Sequence, residues 1–203
     1  RWLSDWSSDV CSSDLHFYTL EAAKYGKAIY VEKPMAISVA ECEEMIQVCR
    51  DYNVPLFVAY YRREQEKFKT AKEIITSNEI GEIRSFNYFY ASKSPAIDTE
   101  RSWLLSKEIA GGGLLYDIGS HMIDIIIYLF GEVEMATGIS CNQSHDFKVN
   151  DVTTGLLQFK NKVQGSIQLS FNGNESRDEL VVIGSEGSLK LSIMSNDNLM
   201  IKK

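Results

Sequence analysis

Residues 111–131, GGGLLYDIGSHMIDIIIYLFG, constrain the rest of the chain most. Three glycines open the stretch, an apolar run follows, and Gly131 stands where a helix C-cap is expected. At about 100° per residue, Leu114, Ile118, Met122, Ile125 and Leu129 fall on one stripe. Leu115 and Ile126 widen it, while Ile123 and Ile127 lie on the far side. A helix apolar nearly all round has to be buried. Yet Asp117, His121, Asp124 and Tyr128 form a narrow ionisable line along it. Buried ionisable groups are unfavourable unless they are paired or face a wet cleft, so two readings stay open. In the first, Asp117 and His121 satisfy each other and lock a core helix. In the second, a carboxylate orients an imidazole whose proton moves near neutral pH. The glycines would then leave backbone N–H groups open to a ligand, and the helix would wall an active site.

A chain of 203 residues has room for one good domain or for parts of two. Hydrophobic residues at 44% and charged residues at 24% suit a globular protein with a sizeable core. A net charge of -7, with no basic cluster to offset it, excludes nucleic acid as the main partner. No apolar run reaches membrane-spanning length. The four cysteines show neither CxxC spacing nor the density of a secreted scaffold, which points to a reducing, cytoplasmic setting. Cys42 and Cys49 are read as packing residues of one helix.

Residues 5–15, DWSSDVCSSDL, have no amphipathic period and resemble the translation of a sequencing-library adaptor, so residues 1–15 are read as a tail outside the fold. Beyond them, residues 17–27 predict a short helix and residues 28–32 a strand stopped by Lys33–Pro34. Ser38, with Glu41 three residues on, forms a capping box for a helix reaching Tyr52 with Ala40, Met45, Val48 and Cys49 facing in. Residues 56–60 predict a second strand. Helix–strand–helix–strand with short apolar strands is the pattern of a parallel α/β sheet. An amphipathic helix follows over residues 64–78. The period then changes to alternation at residues 83–92, 135–143, 152–159 and 163–171, with hairpin signals at Asn161-Lys162 and at residues 184–187 between two shorter strands. The fold class is therefore α/β + α+β: the C-terminal part of a Rossmann-type parallel sheet, then a mostly antiparallel open-sheet domain with one buried helix. The domain division reads 16–61 for the dinucleotide-domain remnant, 62–80 for a connecting helix and 81–203 for the α+β domain.

Ligands bind open α/β sheets outside the carboxyl ends of the strands, and Glu32-Lys33-Pro34 lies at such an end. A lysine there is either a surface charge or a group that polarises a substrate oxygen and steadies a cofactor ring. Glu32-Lys33-Pro34 together with Gly111-Gly112-Gly113, Asp117, Gly119 and His121 resembles the Gfo/Idh/MocA family of nicotinamide-dependent oxidoreductases. The flanks at His16, Ala22-Ala23, Gly26-Lys27, residues 60–63 and residues 80–83 fit as well. Residues 58–63 are similar, more weakly, to enzymes of the 1,5-anhydrofructose reductase kind.

The resemblance implies a sugar or polyol dehydrogenase using NAD or NADP, with Lys33, Asp117 and His121 catalytic. It places Glu32, Lys33 and Pro34 at the cofactor, and it takes Asp117 and His121 to the substrate. Tyr61, Arg62 and Trp103 are further candidates for lining the substrate pocket. No His/Cys/carboxylate set has zinc spacing, and no metal is assigned; Asp117, His121 and Asp124 on one face are the alternative ligand set. The expected partners are a small sugar or polyol and a second copy of the chain bound through the C-terminal sheet, with no nucleic acid and no membrane.

The chain departs from the family in having no GxGxxG turn for the pyrophosphate. It is accordingly read as a fragment, with the catalytic residues present and the cofactor anchor absent, truncated also at its C-terminus and inactive alone. Two other functions stand beside the oxidoreductase: a non-catalytic sugar-sensing or scaffold relative, and a metal-dependent sugar lyase or isomerase.

Overall fold

The computed structural model describes residues 12–93, 106, 111–144 and 148–203. The chain divides into two compact units, Arg1–Tyr60 with Asp98–Ser120, and Tyr61–Ile97 with His121–Lys203. The sequence-based division placed everything from residue 81 in the second domain, whereas the glycine run and Asp117 group with the first unit.

In the first unit, α1 (Ser12–Lys24), β1 (Ile29–Val31), α2 (Val39–Asp51) and β2 (Leu56–Val58) follow one another. The strands pair in parallel, Ile29 opposite Leu56 and Val31 opposite Val58, as the helix–strand alternation predicted. α1 begins at Ser12, earlier than expected, and Leu15 packs with Leu20 against the buried Val31, Ala36 and Met45. Residues 1–11 of the expected tail lie outside the described residues.

Ser38 caps α2 by accepting the Glu41 N–H at 3.2 Å, and Glu41 reaches back to the N–H of Ile37 at 3.1 Å. The return bond thus lands one residue before the one a capping box usually serves. Met45 and Cys49 are buried and Cys42 joins them, while Ala40, expected to face in, is exposed. The inward stripe runs 42, 45, 49, one face at helical spacing, and Ala40 falls off it. Burial pushes both cysteine thiols above their ordinary pKa, as packing residues would be.

The second unit starts with a 3-10 turn, Tyr61–Glu64, between the strand predicted over residues 56–60 and the helix predicted over residues 64–78. α3 (Glu66–Thr76) follows, burying Phe68, Ala71 and Ile74. β3 (Ile83–Ala91), β4 (Val133–Cys141), β5 (Val152–Phe159), β6 (Gln164–Ser170), β7 (Arg177–Gly184), β8 (Ser188–Leu191) and β9 (Met200–Lys202) form one sheet in the order β4-β5-β6-β3-β7-β8-β9. Among the described residues of this sheet, only the β3–β6 pair is parallel. β9 had no counterpart in the sequence reading.

Residues 111–131 become a π-helical turn, Leu115–Gly119, running on into α4 (Ser120–Phe130). Met122, Ile125, Ile126 and Leu129 are at most 1% exposed, so the apolar stripe is core, as expected. Gly131, at φ 95°, ends the helix with its N–H on the Ile127 carbonyl at 2.8 Å. Phe130 at the end of α4 stacks on Phe86 of β3 at 4.6 Å and tilts against Phe159 of β5 at 5.6 Å. Alternation therefore turns Phe86 and Tyr88 to the helix-covered side of the sheet. Met135, Ile139 and Leu156 share the opposite side and are more than half exposed. Phe86 and Tyr88 of β3 thus point into the protein's own core.

Candidate active site

In the first unit Lys33 follows β1, at the carboxyl end of a parallel strand. Its ammonium donates to Oδ1 of Asp117 at 2.5 Å and to the Asp117 carbonyl at 3.0 Å. Both side chains are partly exposed, 17% and 30%. Ser120 Oγ donates to the same carbonyl at 3.2 Å. The regular helix predicted here is a π turn instead; such a turn carries one extra residue and shifts its carbonyls out of the ordinary i→i+4 ladder. The Asp117 residue thus offers Lys33 two acceptors, one from its side chain and one from its backbone.

The glycines ahead of this turn have a local use that the sequence reading missed. Gly111 has φ 63°, and a Cβ on it would come within 3.1 Å of the Ile37 carbonyl. A Cβ on Gly112 would collide with the Tyr116 ring. The close approach that glycine permits here is made by Tyr116 and by the loop before α2, rather than left open for a ligand.

In the second unit His121, 6% exposed, meets the Tyr61 ring edge-on, with centroids 5.6 Å apart and planes at 75°. Arg62 donates from Nη1 to the Ile193 carbonyl at 3.2 Å, and its guanidinium lies 5.5 Å from the Tyr61 ring centroid. Arg63 forks onto Asp124: Nε donates to Oδ1 at 3.0 Å and to Oδ2 at 2.8 Å, and Nη2 donates to Oδ1. Tyr128 lies under two cations, Arg63 at 5.9 Å and Lys72 at 5.8 Å. Lys72 also donates to the Leu129 carbonyl at 2.9 Å, and burial holds its pKa below the ordinary lysine value.

Among the candidates named from sequence, Lys33 and Asp117 come together within the first unit, and Tyr61 and His121 within the second. Arg62 is engaged by a backbone carbonyl and an aromatic ring. Glu32 and Pro34 flank Lys33 in the loop after β1, with the Lys33 N–H 3.4 Å from Glu32 Oε2. Trp103 lies outside the described residues. Asp124, considered a metal ligand in one reading, is the ion-pair partner of Arg63.

Two carboxylates, the half-buried Asp178 and the buried Asp151, escaped the sequence reading. Asp178 accepts the Tyr88 hydroxyl at 2.9 Å and the N–H groups of Ile193, Met194 and Ser195 at 2.9, 2.6 and 2.6 Å, fixing the loop that Arg62 also holds. Burial, followed by this carboxylate, pushes the Tyr88 phenol far above its ordinary pKa. Asp151, 1% exposed, accepts from the N–H groups of Gln143 and Ser144 and from the Asn172 amide at 2.8 to 2.9 Å. Neither lies in a recognisable motif. The only signal was an acidic residue beside a strand, which is common on any surface.

A parallel β–α–β segment with a lysine at its carboxyl end, followed by a mostly antiparallel sheet backed by a histidine-bearing helix, defines a nucleotide-fold segment joined to an α+β domain. Residues 68–190 match the GFO/IDH/MocA C-terminal domain, and residues 10–60 match the oxidoreductase family's NAD-binding Rossmann fold. The chain belongs to the GFO/IDH/MocA oxidoreductase family.

It is 35% identical to Oxidoreductase P35 of Formosa agariphila over 88% of this chain and 56% of that protein. It is 26% identical to the levoglucosan dehydrogenase of Pseudarthrobacter phenanthrenivorans over 98% of this chain and 60% of that one. The structure of a levoglucosan dehydrogenase in complex with NADH and levoglucosan superposes with a TM-score of 0.85 at 28% identity, covering 95% of this chain and 55% of that chain. The chain thus spans little more than half the length of these relatives.

Proposed function

We propose that this chain serves an NAD- or NADP-dependent oxidoreductase that transfers a hydride between the cofactor and a carbinol or carbonyl carbon of a sugar or polyol. The observation that carries the reading is the Lys33 ammonium held on the Asp117 carboxylate in the loop after a parallel strand, in a chain of this family. A related dehydrogenase solved with NADH and levoglucosan supports the substrate class.

The donor set fits a nicotinamide: Glu32, Lys33 and Pro34 lie at the carboxyl end of β1, where open α/β sheets hold nucleotides. When bound, the cofactor supplies the hydride chemistry. His121 takes the hydroxyl proton from the carbinol during oxidation and returns it to the carbonyl during reduction. Lys33 supplies a positive charge able to stabilise negative charge building on a substrate oxygen. Asp117 keeps the Lys33 ammonium in place, by its carboxylate and by its carbonyl.

The open side of the sheet, with Met135, Ile139 and Leu156 exposed, is proposed to bind a second copy of the chain. The free thiols of Cys42, Cys49 and Cys141 support a reducing, cytoplasmic setting. No helix among the described residues is long and apolar enough to cross a membrane.

The test is turnover of the enzyme expressed from its complete reading frame, read by nicotinamide absorbance across a panel of sugars and polyols. Wild-type turnover that collapses in His121→Ala, with the thermal midpoint kept, is expected. Activity that needs no nicotinamide and is lost to EDTA would overturn the reading in favour of a metal-dependent lyase or isomerase.

A further inference from the structure

The second unit places four groups in register on two short elements. His121 and Asp124 are three residues apart on α4 and so lie on one face. Tyr61 and Arg63 are two apart on the 3-10 turn that opens the unit. Tyr61 meets His121, and Arg63 meets Asp124. The turn therefore touches the helix twice, once through an aromatic ring and once through a fork of hydrogen bonds.

These contacts differ in strength and in what they can specify. An edge-on ring contact is weakly directional and tolerates sliding. A guanidinium fork on a carboxylate fixes distance and plane together. Asp124 is 6% exposed, and a carboxylate so deeply buried has to keep its cation. The ion pair is thus the member of the set that decides where the turn sits, and the Tyr61 ring follows it.

We propose that Arg63 and Asp124 are positioning residues whose forked pair fixes the Tyr61–Glu64 turn on α4, so that the Tyr61 ring closes one side of the His121 imidazole. The inference rests on the assignment of His121 as the acid/base. It adds that the orientation and hydration of that imidazole are set by a pair outside the imidazole itself.

A spectroscopic signature separates this role from plain stabilisation. The Tyr61 ring current shifts the resonance of the His121 Cε1 proton, and Tyr61→Leu defines that resonance without the ring. In Asp124→Asn and Arg63→Lys the His121 signal is expected to move most of the way to the Tyr61→Leu position. In the enzyme from the complete reading frame, kcat is expected to fall about 10- to 100-fold with KM changed less than about threefold, the usual scale for losing a supporting partner.

A lowered thermal midpoint with the His121 signal and kcat per folded molecule unchanged would overturn the proposal. Arg63→Lys keeps the charge and lets the fold survive if Asp124→Asn does not; an unchanged signal there overturns it equally. His121→Ala separates the two readings. If that variant keeps full turnover, the acid/base assignment fails, while the ring-current shift still reports whether the pair positions the turn.

Discussion

Asp117 and Asp124 stand on one helical stretch, and each is paired with a cation, yet the pairs are of different kinds. Lys33 gives Asp117 a single ammonium, which it shares between one carboxylate oxygen and one backbone carbonyl at 2.5 and 3.0 Å. Both of these side chains keep some contact with water. Arg63 gives Asp124 a planar fork that engages both oxygens of a nearly inaccessible carboxylate. An ammonium is a compact charge on a flexible stem and can exchange one acceptor for another. A fork on a buried carboxylate cannot be opened without stranding a charge. The first pair is built to exchange an acceptor, and the second serves as a fixture.

The largest effect that would break this contrast concerns turnover. Lys33→Ala and His121→Ala are each expected to lower kcat heavily, by about 10²–10⁴-fold for His121, with the thermal midpoint kept. Steady-state kinetics and melting on the same samples decide it, and a large stability loss with unchanged turnover would make both residues core furniture. Asp117→Asn is expected to cost less, about 10- to 10²-fold in kcat, because the amide keeps the shape and the backbone carbonyl still holds Lys33.

Stability sharpens the contrast from the other side. Asp124→Ala should destabilise by about 2–3 kcal/mol, the scale of lost hydrogen bonds to a charged group. Asp117→Ala should change stability by less than about 1 kcal/mol, as for a pair that water already screens. Equal losses in denaturant titrations would erase the distinction.

The smallest effect lies in acid. Burial alone would raise the Asp151 carboxyl, but the Ser144 side chain, the Gln143 and Ser144 N–H groups and the Asn172 amide together hold it below the usual carboxylate value. A carboxyl lowered on folding stabilises the fold above its unfolded pKa of ~3.9 and loses that contribution as pH falls through the lowered value. Asp151→Asn should therefore be less stable than the parent at neutral pH and should lose less further stability in acid below about pH 4. Thermal midpoints across pH would show the two proteins converging in acid; parallel curves would remove Asp151 from the account.

Much of this was legible in the chain. Periodicity placed α2, the β3 to β8 strands and the burial of Met122, Ile125 and Leu129, because local spacing alone sets which face an element buries. The Asn161-Lys162 turn was legible for the same reason; Lys162 takes φ 70° and its N–H closes on the Phe159 carbonyl at 2.8 Å. The π turn at Leu115–Gly119 was not, since a 100° step presupposes a regular helix.

The partners of Asp117 and Asp124 were not legible either. A carboxylate on a largely apolar helix announces that it needs a cation, but Lys33 and Arg63 lie 84 and 61 residues away, and spacing carries no information at that range. Arg62 and Arg63 are neighbours with the same side chain, so spacing alone does not choose between them. Only the folded turn assigns Asp124 to one and the Ile193 carbonyl to the other.

The place of β3 in its sheet bears on how the chain is made. β3 lies between β6 and β7, yet its pairing partners begin at Gln164 and Arg177. A ribosome delivers Ile83–Ala91 long before either flank exists, so an aromatic strand has to wait unpaired through the synthesis of some seventy further residues. The β4–β5–β6 meander can zip from neighbouring segments in the meantime, since closing short loops is entropically cheap. The centre of the sheet is thus assembled after one of its wings. Folding is expected to be limited by that late, long-range closure, and a nascent chain arrested between β3 and β6 is the form most exposed to aggregation.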